Sequence, residues 1–383
     1  MLAVEIILWV SIGLVLLTFL VHPFFLWLLS RFINRPIKRD ADHRPSFTIF
    51  IACYNEAAVI AEKLENALTL DYLPELLEIL VADDGSADDT VAIARRFESR
   101  GVTVVAFEKN RGKTTVMNEL SPKAKGEIII YSDANTFLAK DALIRFAELF
   151  ADPKIGCVGG LQAQKAPDSG ATGTSLGNSI TRGFEDRQKY WEGRIFTSTC
   201  VHGGHMAIRK SLYHPAAPEV SPDALLSFTT VADGYRTVYD PAVLAWEEAL
   251  SKPTDDFRRR ARLGLLDMAL LAVFPKTVYF WKHPFVSINF FIRRTLRMTT
   301  FLWLLIALVA SGILAFGGGF YLWMFLAQAA GYLGAVVGWL GKGFLPRLLL
   351  MPFHVINNFV ALGYGFFLYL GGKRAITWKP RGI

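Results

Sequence analysis

The chain has few cysteines and lacks the glycine-rich signatures of common nucleotide-binding folds. Its 383 residues include three cysteines, Cys53, Cys157 and Cys200, which are widely spaced and form no Cys-x-x-Cys pair. This spacing excludes a cysteine-based zinc site and fits a reducing, cytosolic compartment. Neither Gly-x-x-x-x-Gly-Lys-[Ser/Thr] nor Gly-x-Gly-x-x-Gly occurs in the sequence. The fingerprints of a P-loop and of a dinucleotide-binding Rossmann domain are therefore missing.

Long apolar runs lie at the two ends of the chain, and 52% of the residues are hydrophobic. Residues 2–29 carry one charge, Glu5, and exceed the ~20 apolar residues that a membrane helix needs. A cleaved signal peptide would have a basic start and a shorter apolar core, so we predict an uncleaved anchor. Residues 298–316, 319–340 and 346–370 form three further apolar segments. The sequence therefore predicts a membrane protein.

The net charge of +7 is concentrated beside these apolar segments. The basic residues that follow the first segment are Arg31, Arg35, Lys38, Arg39 and Arg44, and those that precede the next are Arg293, Arg294 and Arg297. By the positive-inside rule, both groups place residues 31–297 in the cytoplasm. Interleaved aromatic residues are missing, so membrane lipids and not nucleic acid are the expected partners. We predict a multi-pass protein of the inner (plasma) membrane with a cytoplasmic catalytic domain.

The charges near the C-terminus conflict with a simple count of spans. Four spans would put the C-terminus outside, whereas Lys373, Arg374, Lys379 and Arg381 favour the inside. Either one C-terminal segment is re-entrant or interfacial, or a further span lies near residues 263–281. The sequence leaves both alternatives open.

Between the apolar ends, short β-branched runs alternate with amphipathic segments. The runs SFTIFIACY, LLEILVA, VTVVAF, EIIIYS and GCVGGLQAQ are predicted strands, beginning at residues 46, 76, 102, 127 and 156. Their alternation with helices predicts an α/β fold with a mostly parallel sheet covered on both faces. The Gly/Ser/Thr-rich stretch 168–179 is predicted to be a mobile loop over the site or a surface linker.

These patterns divide the chain into four parts. We predict an N-terminal transmembrane helix in residues 1–30 and a cytoplasmic α/β domain in residues 31–264. Interfacial helices follow in residues 265–297, where Trp281 and Lys282 suit the headgroup layer. Residues 298–383 are predicted to form a transmembrane region of about three segments.

Carboxylates follow two of the predicted strands at the point where each strand ends. Asp83 and Asp84 follow the second strand within ILVADDGSADDT, and Asp133 follows the fourth within EIIIYSDANT. The carboxyl ends of parallel strands meet at one edge of the sheet, where open α/β folds bind ligands. The two acidic turns therefore predict a site for a nucleotide diphosphate and a divalent cation.

Seven sequence blocks occur in an order typical of one enzyme family. They are ACYNE (52–56), VADDGSADDT (81–90), NRGKTTVMN (110–118), SDANT (132–136), GGHMAIRK (203–210), SPDALLSFTTVADGYRTVYDPAV (221–243) and FRRRARLG (257–264). On these blocks, residues 46–264 resemble the family 2 glycosyltransferases with a GT-A fold, specifically their membrane-bound, polysaccharide-synthase-like branch. The resemblance implies a Rossmann-like GT-A domain and an inverting transfer of a hexosyl group.

The resemblance also implies roles at the donor site. Asp133 matches the first carboxylate of the family's Asp-x-Asp motif and Asn135 its third position, so both are expected ligands of Mg²⁺ or Mn²⁺. Because Asn135 brings no charge, the metal would be held largely by Asp133 and the diphosphate. Arg262 holds the Arg position of the family's Gln-x-x-Arg-Trp motif and suits a diphosphate. The residues expected to contact the donor are Tyr54, Glu56, Asp83, Asp84, Lys113, Asp133, Arg259, Arg260 and Arg262.

Asp223 falls where the family has its catalytic pair of carboxylates, and Pro222 replaces the first member. As general base, Asp223 would take the proton from an acceptor hydroxyl. Its other interpretation, compatible with the first, is a helix N-cap before ALLSF. Asp233 is interpreted as a surface residue. Trp191 and His205 are the candidates for contact with the acceptor.

Together these features predict a glycosyltransferase at the cytoplasmic face of the membrane. Its donor is expected to be a UDP-sugar, and its acceptor a lipid-linked or growing glycan in cell-envelope polysaccharide synthesis. Partner subunits of an export assembly are a further expectation from the resemblance. Two alternatives remain open: a sugar transferase that acts on polyprenyl phosphate, and an inactive membrane scaffold.

Overall fold

A mixed β-sheet forms the centre of the α/β domain in this computed structural model, which describes residues 1–165, 173–248, 253–277, 281–341 and 351–377. The strands of this described part are β1 Phe47–Cys53, β2 Leu77–Asp83, β3 Val102–Ala106, β4 Ile128–Asp133, β5 Thr136–Leu138, β6 Ile155–Lys165, β7 His205–Arg209 and β8 Arg236–Glu248. Their order across the sheet is β3-β2-β1-β4-β7-β6-β8-β5. The five strands predicted from the sequence are all present.

The sheet is parallel in its first half and mixed in its second. β3, β2, β1 and β4 pair in parallel, whereas β7 runs antiparallel between β4 and β6. β8 is parallel to β6, and the short β5 is antiparallel to β8. The prediction of a mostly parallel sheet therefore holds for the half that carries the two acidic turns. β5, β7 and β8 were not predicted as strands, because two are five residues or shorter and β8 contains a proline.

Helices cover both faces of the sheet. They are α3 Ile60–Leu68, α4 Thr90–Arg95, α5 Lys113–Leu120, α6 Ala142–Phe150, α7 Gly173–Ile195, α8 Pro222–Ala232 and α9 Pro253–Thr277. On β1, Ile49 and Ile51 belong to the core on the side of α3 and α6, while Phe50 faces the core that includes α5. Because both faces are covered, every residue of β1 is buried, which explains why all of its residues except Thr48 are apolar.

The stretch 168–179 is only partly the loop that its composition suggests. Helix α7 begins at Gly173, so the last seven residues of the stretch are helical and the loop prediction is wrong for them. The remainder, 168–172, lies outside the described residues. The predicted domain boundary at residue 264 falls inside α9, which runs on without a break to Thr277.

Apolar helices flank the domain. α1 Leu2–Leu16 and α2 His22–Phe32 are joined by a π-helical turn, and α10 Pro284–Phe290, α11 Thr300–Ala315, α12 Gly319–Leu340 and α13 Met351–Leu370 follow the domain. In the described part, three helices are long and apolar enough to cross a membrane: Leu2–Phe32, Gly319–Leu340 and Phe353–Leu370. The pair Pro284–Leu296 and Thr300–Ala315, bent by 61°, would make a fourth. The chain is a membrane protein, as predicted.

The chain after α13 returns to the α/β domain. Helix α13 packs closely on α9, where Gly264 leaves no room for a Cβ beside the carbonyl of Leu362. Beyond α13, the carbonyl of Ile376 contacts Gly112 at the start of α5. Residue 376 therefore lies on the same side of the membrane as the domain. This position agrees with the basic C-terminal residues and favours a re-entrant or interfacial segment.

Lys63 of α3 is fully buried, and its burial predicts that the stability of the domain depends on pH. Its Nζ donates to Oγ of Ser132 at 2.7 Å and to the carbonyl of Thr136. Burial lowers the pKa of Lys63 from 10.5 to about 7, and the charge of Asp133 opposes this only in part. Because the folded pKa is the lower one, the unfolded chain binds more protons between pH 7 and 10.5. Stability should therefore rise with pH across that window, by up to about 1.4 kcal/mol per unit.

We expect the melting temperature of the wild type, relative to that of Lys63→Met, to increase between pH 7 and pH 9. Methionine has nearly the same length as lysine but binds no proton, so its variant lacks this source of pH dependence. Thermal unfolding in detergent at several pH values measures the difference. If the melting temperatures of the two proteins change with pH in the same way, Lys63 is not the titrating group.

Candidate active site

A cationic cleft opens at the carboxyl edge of the sheet, between the domain, helix α9 and the π-helical segment Phe291–Leu296. Its volume is about 400 Å³. The charged residues that line it are Lys113, Asp133, Arg182, Glu185, Lys189, Asp223, Asp256, Arg259, Arg260, Arg262, Asp267, Arg293, Arg294 and Arg297. Nine of these are basic and five are acidic. This surplus of positive charge suits a diphosphate, and we call the space the donor cleft.

The two carboxylates predicted to matter most, Asp133 and Asp223, lie on either side of Gly203 and Gly204. A Cβ built on Gly203 would lie 2.8 Å from Cγ of Asp223, and one built on Gly204 would lie 2.8 Å from Oδ2 of Asp133. Both glycines are therefore required for the carboxylates to approach the chain this closely. The structure brings together two residues that are 90 positions apart in sequence.

Asp223 is held in the first turn of α8. Ser221 is the N-cap residue, and Pro222 occupies the first turn, where its missing N–H costs no hydrogen bond. The N-cap interpretation of Asp223 is therefore wrong by two positions. The hydroxyl of Ser221 donates to Oδ1 of Asp223, and the carboxylate is partly accessible from the donor cleft. A carboxylate fixed at this depth can accept a proton from a bound acceptor.

Asp133 ends β4 and faces the donor cleft, where Lys113 contacts it. Nζ of Lys113 lies 2.5 Å from Oδ1 of Asp133. Lys113 therefore reaches the cleft as predicted. Its charge can bind a diphosphate there, and a metal ion would compete with it for Asp133. Both side chains remain partly accessible, at 20% and 31%.

Asn135 does not join Asp133 in the cleft. It is buried, and its Nδ2 faces Oε1 of Glu247 at 3.4 Å. The alternation of side chains along an extended chain does not place residues 133 and 135 on one accessible face here, because β4 ends at Asp133 and the chain turns before β5. The prediction that Asn135 is a metal ligand is therefore not supported by its position.

The residues of the cleft fit a divalent cation that is held mainly by its substrate. Among the described residues, no cluster of three or more His, Cys, Asp or Glu side chains has metal-binding geometry. Asp133 is the carboxylate that would hold the ion, with the amide of Gln162 close to it across Gly204. Mg²⁺ is commonly bound by one or two carboxylates together with substrate phosphates and water. The protein ligands present are sufficient for an ion that is held together with substrate phosphates and water, and not for a metal site formed by protein alone.

The two carboxylates of the DDGS turn accept hydrogen bonds from the backbone of their own turn and of the loop before α5. Oδ1 of Asp83 accepts from the backbone N–H groups of Gly85 and Ser86, at 3.1 and 2.9 Å. Asp84 accepts from the N–H groups of Arg111 and Gly112, at 2.8 and 2.7 Å. Both carboxylates are buried, and burial raises the pKa of Asp84. The predicted direct contacts of Asp83 and Asp84 with a base and ribose do not fit this burial. Asp84 instead positions the loop that carries Lys113, and Asp83 fixes its own turn.

Tyr54 and Glu56 are half-buried at the end of β1, beside this turn and outside the lining of the donor cleft. Between them, Asn55 has a left-handed backbone (φ 54°) and its N–H donates to Ser86 at 2.8 Å. The ACYNE block therefore ties β1 to the DDGS turn. The predicted donor contacts of Tyr54 and Glu56 stay a prediction.

The three predicted arginines of α9 all line the donor cleft. Arg259 lies 3.6 Å from Glu247, and Arg260 pairs with Asp256 at 2.8 Å. Arg262 is exposed within the cleft and lies near the charge of Asp133. Arg262 therefore lines the same cleft as Asp133 and Lys113, and its predicted role as a diphosphate clamp stays a prediction.

A second group of arginines also lines the donor cleft, although the sequence analysis placed it only at the membrane surface. Arg293, Arg294 and Arg297 lie on a π-helical segment, Phe291–Leu296, and its first following turn, and they line the same cleft. They pair with Glu192 at 2.7 Å, Asp267 at 2.5 Å and Glu185 at 2.5 Å. The positive-inside pattern does not predict their position in the cleft, because the partner carboxylates are distant in sequence. π-Helical turns are frequent at functional sites, but a sequence does not reveal them.

The two acceptor candidates lie elsewhere. His205 is fully buried in β7, where its Nε2 bonds the carbonyl of Val243 at 3.1 Å. Burial lowers the pKa of His205 to about 3, so it is a neutral core residue and its predicted acceptor role is corrected. Trp191 is on α7, two residues after Lys189, and residues two apart on a helix do not share a face. Lys189 lines the donor cleft and Trp191 does not.

Comparison with known proteins gives consistent matches. Residues 48–214 match the family described as Glycosyl transferase family 2. The poly-beta-1,6-N-acetyl-D-glucosamine synthase of Staphylococcus aureus (strain COL) is 28% identical over 222 residues, which cover 56% of this chain and 52% of that protein. The corresponding synthase of Staphylococcus epidermidis (strain ATCC 35984) is 32% identical over 223 residues, or 56% and 53%. The chain spans about half the length of the curated relatives it matches.

Among solved structures, the mannosyltransferase PcManGT from Pyrobaculum calidifontis, in complex with GDP-Man and Mn²⁺, superposes with a TM-score of 0.70. Its sequence is 23% identical, and the match covers 92% of this chain and 98% of that one. The mixed sheet with a cationic cleft at its carboxyl edge thus defines a GT-A fold. The family match covers residues 48–214, less than half of the chain, and this part carries five of the sequence blocks that predict a family 2 glycosyltransferase.

Proposed function

We propose that the protein is an inverting glycosyltransferase that moves a sugar from a nucleotide-sugar donor to an acceptor hydroxyl at the cytoplasmic face of the membrane. The observation that carries the proposal is the placement of Asp133 and Asp223 on either side of Gly203–Gly204, within a cleft where basic side chains outnumber acidic ones. One carboxylate faces the diphosphate side and the other is available for an acceptor. The names of the curated relatives support a role in the synthesis of a polysaccharide.

The reaction follows from this arrangement as one displacement. Lys113 and Arg262 hold the diphosphate, so that the anomeric carbon of the donor faces Asp223. The acceptor oxygen attacks this carbon, its proton passes to Asp223, and the bond from the carbon to the diphosphate oxygen breaks with its electron pair leaving on the diphosphate. Attack opposite to the leaving group inverts the configuration at the carbon. General-base catalysis of this kind contributes ~10²–10⁴-fold.

A divalent cation, Mg²⁺ or Mn²⁺, would be held at Asp133. When bound, it supplies positive charge that stabilises the departing nucleoside diphosphate. Lys113, which pairs with Asp133, would then be displaced toward the phosphates.

We also propose that the donor is a UDP-sugar and that the protein lies in the plasma membrane with its α/β domain in the cytoplasm. Any subunits of an export assembly would contact the membrane helices.

A donor panel tests this function directly. The purified full-length chain in lipid nanodiscs is mixed with UDP-, GDP- and dTDP-sugars and Mn²⁺, and nucleoside diphosphate release is measured with mass spectrometry of the products. We expect turnover of one nucleotide class and a product of inverted anomeric configuration. No turnover and no binding of any donor would instead support a scaffold that has kept the fold without the activity.

A further inference from the structure

A second cavity lies between the membrane helices and the cytoplasmic domain. Its volume is about 870 Å³, at the upper end of the range of ligand pockets, which is about 300–1,000 Å³. It is bounded by the N-terminal helix, α7, α11, α12 and α13. The apolar side chains that the membrane helices contribute to it are Val15, Phe19, Leu304, Val355, Ile356 and Phe359. We call this space the membrane cavity.

The membrane cavity and the donor cleft meet at a cationic junction. The residues that line both spaces are Thr181, Asp256, Arg260, Arg293, Arg297 and Asn358. Each of the junction's three arginines also pairs with a carboxylate, Arg260 with Asp256, Arg293 with Glu192 and Arg297 with Glu185, so a phosphate would bind there through further N–H groups of the guanidinium forks and not through a surplus of charge. Guanidinium groups bind phosphate with paired hydrogen bonds, so the junction favours a phosphate. An apolar space, a phosphate-binding junction and a sugar-binding cleft therefore follow one another.

We propose that the acceptor is a lipid-linked sugar, joined through phosphate to one long hydrocarbon chain. The chain lies in the membrane cavity, the phosphate lies at the junction, and the accepting hydroxyl lies in the donor cleft beside Asp223. This inference rests on the proposed transfer function and names its acceptor class. In the reaction, the hydroxyl loses its proton to Asp223 and bonds to the anomeric carbon, while the nucleoside diphosphate leaves.

The lining of the membrane cavity favours a hydrocarbon chain over a glycan. Gln188, Gln328 and Tyr332 would replace only some of the hydrogen bonds that the hydroxyl groups of a glycan make to water. The apolar side chains Val15, Phe19 and Leu304 would replace none of them. A hydrocarbon chain gains free energy from the same burial. Because the chain is remote from the reacting atoms, its binding positions the hydroxyl and raises the rate of transfer.

Two glycines provide a matched pair of variants. Gly331 of α12 lines the membrane cavity, and a Cβ built there meets nothing within 4 Å, so the backbone leaves room for the side chain of Gly331→Phe to start beside this space. Gly13 of α1 is equally open but does not line the cavity. Gly13→Phe therefore adds the same bulk to an apolar helix without occupying the proposed site. Neither glycine belongs to the donor cleft.

The experiment compares one sugar presented on three carriers to the full-length chain in phosphatidylcholine nanodiscs: a diphosphate-linked undecaprenyl chain, a diphosphate-linked methyl group, and a free oligosaccharide. We expect the wild type and Gly13→Phe to prefer the undecaprenyl carrier by about tenfold or more in kcat/KM. Gly331→Phe should lose this preference and fall to the rate on the methyl carrier. Nucleotide binding should be the same in all three proteins.

Equal rates on the undecaprenyl and methyl carriers in the wild type would overturn the inference, as would equal losses in the two glycine variants. Transfer to the free oligosaccharide at the undecaprenyl rate would also overturn it while leaving the proposed transferase activity intact. Failure of the transferase function itself has a different signature: no donor is bound or hydrolysed, whatever the carrier.

Discussion

The variant Asp223→Asn is expected to lose sugar transfer by ~10²–10⁴-fold while it still binds the donor. Asparagine has the shape of aspartate and can accept from Ser221, but its amide does not take a proton from the acceptor hydroxyl. The loss should therefore appear in kcat, with the dissociation constant of the nucleotide nearly unchanged. Steady-state transfer assays and calorimetric titration with the nucleoside diphosphate measure the two quantities.

Asp233→Asn is the matched control for this variant. Asp233 lies at the other end of the same helix, is exposed, and pairs with His214 at 2.7 Å. Its role as a surface residue was predicted from the sequence, and its position agrees. The same substitution there should leave transfer unchanged. Wild-type rates in Asp223→Asn, or an equal loss in both variants, would remove Asp223 from the mechanism.

The sequence predicts well what depends on neighbouring residues. β1, β2 and β4 are buried on both faces, so their apolar runs and the acidic turns that end them are visible in the sequence. The positions of Asp133 and Asp223 at the cleft were also predicted, because each lies in a block with a fixed relation to its own strand or helix.

Features that depend on distant contacts were predicted poorly. The orientation of Asn135 depends on Glu247, which is 112 residues away, and the burial of His205 depends on β8. Arg293 and Arg297 carry the pattern of a membrane boundary, and only their pairing with carboxylates of α7 places them at the cleft. A side chain's direction at the end of a strand is set by the tertiary structure, which the local sequence does not encode.

Asp133→Asn is expected to remove the dependence of activity on Mn²⁺ and to lower transfer by about a hundredfold or more, since metal-ion charge stabilisation is worth several kcal/mol. The charge of Asp133 is the one that would hold the ion in the donor cleft, and it also orients Lys113. The nucleoside diphosphate should therefore bind the variant with the same affinity in the presence and absence of Mn²⁺. Calorimetric titration with and without Mn²⁺ checks this independently of turnover.

Asn135→Ala distinguishes a two-ligand site from the one-carboxylate site that the geometry favours. Because the amide of Asn135 faces Glu247 and not the cleft, its removal should lower thermal stability but keep the effect of Mn²⁺ on nucleotide affinity. If instead Asn135→Ala abolishes the Mn²⁺ effect as fully as Asp133→Asn does, the Asp-x-Asn turn rearranges when the donor binds. The metal would then be held by both positions of the turn, and the single-carboxylate arrangement would be wrong.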